Sequence, residues 1–294
     1  MTLARRLSTP SLIATVRAAL PDGAVAVAHF ESLVGIVDDL GSCVLALSGG
    51  IDSSFLFAVA SRLLGPRCLA VTGDSLAVPA WDRADARDAG AAAELYGASW
   101  RVVATRELDD PRYAQNPRSR CFFCKSEVYG VLDTIARSEG YAWVVDGTNA
   151  NDVEASDRPG MAAGRALGVR SPLAEAGVTK SDVRALAQAL GLRDWDRPSS
   201  ACLSSRIPFG ARITPERLRR VESAELGVRA LGYTQVRVRD FGDRARVEVE
   251  AAQMSHLLAN SQPVDATLQA AGFASWSAAT YVGTGAGDIG GTDL

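Results

Sequence analysis

From Cys43 onward the sequence alternates between short apolar runs and longer stretches with helical spacing, and few folds accommodate that regularity. "CVLAL" precedes "DSSFLFAVASRLL", "CLAVTG" precedes "RADARDAGAAAELYG", and "WRVVAT" and "AWVVDG" stand on either side of "SEVYGVLDTIARSEG". Apolar runs separated by helices of this length need crossovers, which bring strands together in parallel and cover both faces of the sheet. The expected fold is an α/β domain over residues 25–210, an open parallel sheet with helices on both faces. A chain of 294 residues with 47% hydrophobic content can bury such a core and carry a second, smaller domain.

The second domain is expected over residues 211–282 as a small α+β unit. "TPERLRRVESAELGVRALG" reads as a helix with Thr214 at the N-cap and Pro215 at the first helical position. "QVRVRDFG" and "RARVEVE" alternate as a hairpin-like pair, and "AAQMSHLLAN" reads as a further helix. Residues 1–24 are expected as a helical extension: Thr15 and Arg17 interrupt its apolar stretch, which argues against a signal peptide. The glycine-rich residues 283–294 are expected to be a flexible tail. The sequence contains no run of eighteen apolar residues, so no membrane span is expected, and a cytoplasmic setting follows. The formal net charge of -3 argues against nucleic acid as a partner.

The most specific motif is "LALSGGIDSS", where an apolar strand meets a helix. Ser48, Gly49 and Gly50 make a tight turn, and Asp52, Ser53 and Ser54 open the helix, whose N–H groups and dipole suit a phosphate. The motif lacks the lysine of a Walker loop and the Gly-x-Gly-x-x-Gly of dinucleotide folds. Its bland alternative is a strand-to-helix turn made of small residues.

"SRCFFCKSEV" holds Cys121 and Cys124, spaced as in a redox couple, half a zinc site or part of an iron-sulfur site. The only histidines are His29 and His256, both in amphipathic helical runs, so a Cys2His2 zinc site is poorly supplied. Cys43 and Cys68 sit at strand starts, where a cysteine serves as a small buried hydrophobe. The pair stands in a polar loop whose end opens a helix, a setting that also suits a redox role.

The Ser-Gly-Gly-x-Asp-Ser loop resembles that of the PP-loop ATP pyrophosphatases, with "VTGDS" and "DGTNAND" ending later strands as in that superfamily. The block "RPSSACLSSRIPFG" and the text from "GTNAND" to "ALAQALGL" resemble the LarE family of ATP-dependent sulfur transferases in nickel-pincer cofactor synthesis. The likeness runs from about residue 28 to at least residue 250.

That resemblance implies ATP contacts at Ser48, Gly49, Gly50, Asp52, Ser53, Ser54, Thr72, Asp74, Gly147, Thr148, Asn149 and Lys180, with Thr179 capping the helix that Lys180 opens. It places the catalytic sulfur site at Cys202 and, with Cys121 and Cys124, implies a [4Fe-4S] cluster on three thiolates. It implies magnesium as a further cofactor, with weaker metal roles for Glu154 and Glu225; the bland reading of Glu154, Asp157 and Glu225 is a solvated face. The implied substrate is pyridinium-3,5-biscarboxylic acid mononucleotide, its phosphate met by Arg206, Arg237 and Arg239, each otherwise a solvated salt-bridge partner. A homo-oligomer is implied as well; the sulfide donor is not.

The C-terminal text departs from the family, with no acidic residue after Phe273 until Asp288. Three alternatives stay open: Cys202 as a sulfur donor consumed in the reaction, a tRNA-thiolating enzyme, and a nucleotide or cluster sensor without turnover.

Overall fold

The structure, a computed structural model, describes residues 8–21, 23–154, 159–193, 195–196 and 200–282. Asp157, residues 197–199 and the glycine-rich stretch with Asp288 lie outside the described residues. The chain divides into two compact units: Met1–Ser75, Trp81–Thr105 and Cys121–Arg197 in the first, and Leu76–Ala80, Arg106–Arg120 and Pro198–Leu294 in the second.

The first unit is the expected α/β layer. Strands β1 (Cys43–Ala46), β2 (Cys68–Asp74), β3 (Ser99–Ala104) and β4 (Trp143–Val145) form a parallel sheet in the order β3-β2-β1-β4. The pleat sends alternate residues of β1 to opposite faces. Cys43 and Leu45 join Phe30, Leu33, Phe55 and Leu56 in one buried cluster, while Val44 joins Leu69, Val71, Leu132 and Ala136 in another. The first cluster is closed by α1 (Thr9–Ala19), α2 (Val25–Asp39) and α3 (Ile51–Leu64), and the second by α5 (Arg120–Glu139). Helix α4 (Ala80–Glu94) leads into β3, and Gly90 of α4 lets the Trp100 ring approach, since a Cβ there would lie 2.6 Å from it. Helix α6 (Lys180–Ala189) starts with a full capping box, Thr179 and Asp182 each satisfying the other's backbone N–H.

Helix α5 begins earlier than the sequence suggested. Cys121 and Cys124 therefore lie one turn apart in its first turns, not in a loop before it.

The second unit contains a three-stranded sheet of β5 (Val236–Phe241), β6 (Arg244–Val249) and β7 (Ser275–Thr280). β5 and β6 pair antiparallel as the alternating text predicts, and β7 adds to β6 in parallel. Helix α7 (Pro215–Ala230) has the expected Thr214 cap, its hydroxyl accepting from the Arg217 N–H at 3.3 Å. With α8 (Met254–Ala259) and α9 (Ser261–Ala270) it buries Ala224, Val228, Val238, Val247, Leu257, Val264 and Leu268 in one cluster. Among the described residues, no helix is long and apolar enough to cross a membrane.

Candidate functional site

In the first unit, β1 runs into α3 through the Ser-Gly-Gly turn. Gly49 has φ +83, and a Cβ on it would fall 2.0 Å from the Asp82 carbonyl oxygen, so only glycine fits. Ser53 is buried and builds the loop from within: its Oγ accepts from the Ser48 N–H at 3.2 Å and donates to the Gly50 carbonyl at 3.0 Å. Gly50 is the N-cap of α3, and no side chain caps the helix. A fourteen-residue helix thus begins without a side-chain cap behind a small-residue turn, a setting whose N–H groups and dipole favour an anion.

The loop after β4 packs directly on this turn, since a Cβ on Gly147 would lie 2.7 Å from the Ser53 nitrogen. Its shape is set by Asp146, whose buried carboxylate accepts from the Thr148 N–H (3.1 Å), the Thr148 hydroxyl (2.9 Å), the Ser171 hydroxyl (2.7 Å) and the Tyr129 phenol (2.5 Å). Asn149 is fully buried; its Oδ1 accepts from the Asp152 N–H at 3.1 Å, while its Nδ2 finds no hydrogen-bond partner of good geometry. Asp152 holds Lys180 Nζ at 3.0 Å. Burial first, and then the Asp152 carboxylate, push the Asp52 carboxyl above its ordinary range, and Lys180, Asn149 and Arg184 offset this only in part.

Of the residues expected around ATP, the structure brings Ser48, Gly49, Gly50, Asp52, Ser53, Gly147, Asn149 and Lys180 into this one neighbourhood. Ser54 donates its N–H to Gly50 within the helix, and Asp74 ends β2 exposed. Thr72 is buried with its hydroxyl occupied, donating to the Leu47 carbonyl at 2.8 Å and accepting from Trp100 Nε1 at 3.0 Å. Its role there is to tie β2 to β1.

The five cysteines form no disulfide: Cys43 and Cys68 are fully buried, Cys124 and Cys202 half-buried, and Cys121 exposed. Cys43 and Cys68 face each other on β1 and β2 with their sulfurs 3.9 Å apart, and the Cys43 contact, with burial, pushes the Cys68 thiol up. The accessible thiols are therefore the three that the sequence singled out, and three thiolates suit the donor chemistry of an iron-sulfur cluster. Within either unit, among the described residues, no three His, Cys, Asp or Glu side chains are gathered as for a metal ion.

One residue past Cys124, Lys125 lies with Nζ 5.0 Å from the centre of the Tyr129 ring. Burial alone would lower its ammonium, but Tyr129 and Asp146 outweigh it and keep the amine charged. Burial raises the Tyr129 phenol to about 12. Sequence reasoning missed Lys125 and Tyr129, whose only signal was their place on the helix face below the cysteine pair.

In the second unit, Cys202 precedes a tight turn, Leu203–Arg206. Arg206 is fully buried; its Nη1 donates to the carbonyls of Ala201 (2.6 Å) and Cys202 (3.1 Å). Its Nε and Nη2 meet both oxygens of Glu225, at 2.8 and 2.9 Å, and Glu225 also accepts the Val238 N–H at 2.9 Å. This corrects two expectations: Glu225 is on no solvated face, and Arg206 is no solvated ion-pair partner. The two groups thus engage each other and the nearby backbone. Glu154 is exposed, its Oε2 accepting from Asn151 Nδ2 at 3.4 Å.

Arg237 and Arg239 do lie two apart on β5, both largely buried. Arg237 stacks 5.4 Å from the Tyr281 ring centre, and burial first, then Arg206, lower its pKa. Arg239 donates to the Ser205 carbonyl at 2.8 Å and to Glu248 at 2.8 Å, and Arg246 shares Glu248 at 3.1 Å. Four guanidinium groups, of Arg206, Arg237, Arg239 and Arg246, thus face two carboxylates, of Glu225 and Glu248. Guanidinium groups gathered in this way are the kind that recognise carboxylates and phosphates.

A parallel sheet whose central strand enters an uncapped helix through Ser-Gly-Gly-x-Asp-Ser, beside a second strand-end loop, defines the class: an α/β protein of the PP-loop ATPase type. The chain is 36% identical over 243 residues to the pyridinium-3,5-bisthiocarboxylic acid mononucleotide synthase of Lactiplantibacillus plantarum, covering 82% of this chain and 87% of that one. It belongs to that synthase family, the LarE family. An uncharacterised protein of Synechocystis sp. is 41% identical over 228 residues (78% of this chain, 84% of that one). Another, of Methanocaldococcus jannaschii, is 29% identical over 207 residues (70% and 77%). No family model matches the chain.

Proposed function

We propose that the chain is an ATP-dependent sulfur transferase that adenylates carboxylates of pyridinium-3,5-biscarboxylic acid mononucleotide and converts them to thiocarboxylates, releasing AMP and pyrophosphate. The observation that carries this reading is the uncapped α3 terminus behind Gly49, in a chain of the LarE family. Fixed N–H donors there would hold the departing pyrophosphate and stabilise the charge that builds on it. A substrate carboxylate oxygen bonds to the α phosphorus as the bond to the β-phosphate oxygen breaks. Sulfur then bonds to the activated acyl carbon, and AMP leaves.

The chain's own residues divide this work. Asn149, whose amide faces the Asp52 carboxyl, and Lys180, held by Asp152, would line the nucleotide. Arg237, Arg239 and Arg246 give a cationic surface for a substrate bearing carboxylates and a phosphate, while Arg206 fixes the backbone of Cys202. Cys121, Cys124 and Cys202 are the residues that would hold a [4Fe-4S] cluster. Bound by three thiolates, such a cluster supplies an iron with one position left for an extra sulfide. No step is assigned to magnesium. The reading carries with it a cytoplasmic setting, a homo-oligomer, and a free nucleotide as substrate.

Pyrophosphate release tests it. Release that starts on adding the pyridinium nucleotide supports the proposal. Release stimulated by tRNA instead would make the chain a tRNA-thiolating enzyme, and ATP binding without release under either substrate would make it a sensor.

A further inference from the structure

We infer that Asn116 is a positioning residue for Cys202, clamping from the opposite side the turn that Arg206 anchors. Residues 106–120 and 200–213 belong to the same unit. Among the described residues, Asn116 is the one non-glycine with positive φ, at 55°, and it is fully buried. Asparagine enters this region more readily than most residues, yet the conformation still costs free energy and persists where the surroundings enforce it.

Every polar atom of Asn116 is engaged. Its Nδ2 donates to the carbonyls of Ile207 (3.1 Å) and Pro208 (2.8 Å), and its Oδ1 accepts from Arg120 Nη1 (3.0 Å). Its backbone carbonyl accepts from the Gly210 N–H (3.0 Å), and its own N–H donates to the Tyr113 carbonyl (2.8 Å). The left-handed turn is what lets one residue reach the loop with side chain and carbonyl together.

Neighbouring contacts run the same way. The Tyr113 hydroxyl meets the Ser204 hydroxyl at 2.6 Å with both side chains buried, and the Ala114 carbonyl accepts from the Ile213 N–H at 2.8 Å. The guanidinium groups of Arg118 and Arg120 lie 5.3 and 4.6 Å from the centre of the Phe209 ring. The clamp therefore holds the loop from Ser204 to Ile213, while the Leu203 N–H donates to the Ala77 carbonyl at 2.8 Å on the other side of the turn. Cys202 stays half-buried directly before a turn held at Leu203 on one side and from Ser204 to Ile213 on the other. A sulfur that must meet one carbon atom benefits from such fixation, because misplacement by a fraction of an ångström slows group transfer.

The inference rests on Cys202 as the sulfur site proposed above, but its test reads the thiol itself and so stands apart from turnover. Iodoacetamide labelling of the full-length protein, quantified cysteine by cysteine, is compared for wild type, Asn116→Gly, Asn116→Asp and Tyr113→Phe. Asn116→Gly keeps the left-handed backbone and removes the amide; Asn116→Asp keeps the acceptor for Arg120 and removes the donor; Tyr113→Phe loosens the clamp without touching φ. The expected result is faster labelling of Cys202 by about fivefold or more, the change that loss of a buried hydrogen bond makes in a local opening equilibrium, with Cys43 and Cys68 still protected. Labelling of Cys202 that is unchanged, or that rises only in step with Cys43 and Cys68, would overturn the inference. Asn116 would then be a scaffold residue of the unit as a whole.

Discussion

The guanidinium of Arg206 lies on the carboxylate of Glu225 in a two-point contact, Nε to Oε1 at 2.8 Å and Nη2 to Oε2 at 2.9 Å, with both side chains shut off from solvent. The remaining nitrogen of Arg206 reaches back to the Cys202 carbonyl, so the ion pair braces the turn that follows Cys202.

Removing one partner leaves a buried charge without compensation. Arg206→Met or Glu225→Gln is expected to lower stability by about 3 kcal/mol, whereas the double replacement Arg206→Met/Glu225→Leu loses less than the sum of the two. Denaturant midpoints measure this. Equal, additive losses would mean that the two residues act independently.

This pair also marks where the sequence stops speaking. The α/β layer was legible because each strand and helix carries its own periodicity, and the loop at Ser48 because its residues are contiguous. Thr214 and Thr179 were legible as caps for the same local reason. Arg206 and Glu225 stand far apart in sequence and look like surface charges until the fold buries them against each other. β7 went unread as a strand because "SWSAAT" has no strong alternation and acquires its pairing from β6. Asn116 carries no mark at all, since its backbone angle is imposed by the loop it grips.

Asp52 governs a second expectation. Its folded pKa is raised by burial and by Asp152, so the native state binds this proton more tightly than the unfolded chain does. The stability this contributes is present at low pH and is lost as pH rises through the folded pKa. Without nucleotide, wild type is expected to lose stability as pH climbs from about 4 toward neutrality relative to Asp52→Asn, with Asp carboxyls ordinarily near 3.9. Paired denaturation curves across that range decide it; parallel curves would refute the assignment.

Asp240 behaves in the opposite sense. Burial alone would raise its pKa, but Arg217 at 2.7 Å and Arg220 at 2.5 Å outweigh that and hold it low. The stability it contributes is present above the ordinary carboxylate range and is lost as pH falls through the lowered value. Asp240→Asn is expected to cost about 3 kcal/mol at neutral pH and to flatten the acid limb of the stability curve. Melting at several pH values is the measurement, and an unchanged acid limb would count against it.

Gly49 and Gly35 make a matched pair. Alanine at Gly49 would place its Cβ 2.0 Å from the Asp82 oxygen, whereas at Gly35 it would meet nothing within 4 Å. Gly49→Ala is expected to cost about 1–3 kcal/mol and to abolish ATP binding in calorimetry. Gly35→Ala, inside α2, should stabilise by up to about 1 kcal/mol and leave binding intact.

The central claim is that ATP cleavage drives exchange of carboxylate oxygen for sulfur. Anaerobically prepared protein would be incubated with ATP, sulfide and pyridinium-3,5-biscarboxylic acid mononucleotide, and the products followed by mass spectrometry together with AMP and pyrophosphate. Thiocarboxylate formed in step with AMP, and lost in Cys202→Ala, is the expected result. ADP and phosphate as the nucleotide products, or no sulfur in the pyridinium nucleotide while ATP is consumed, would contradict the account.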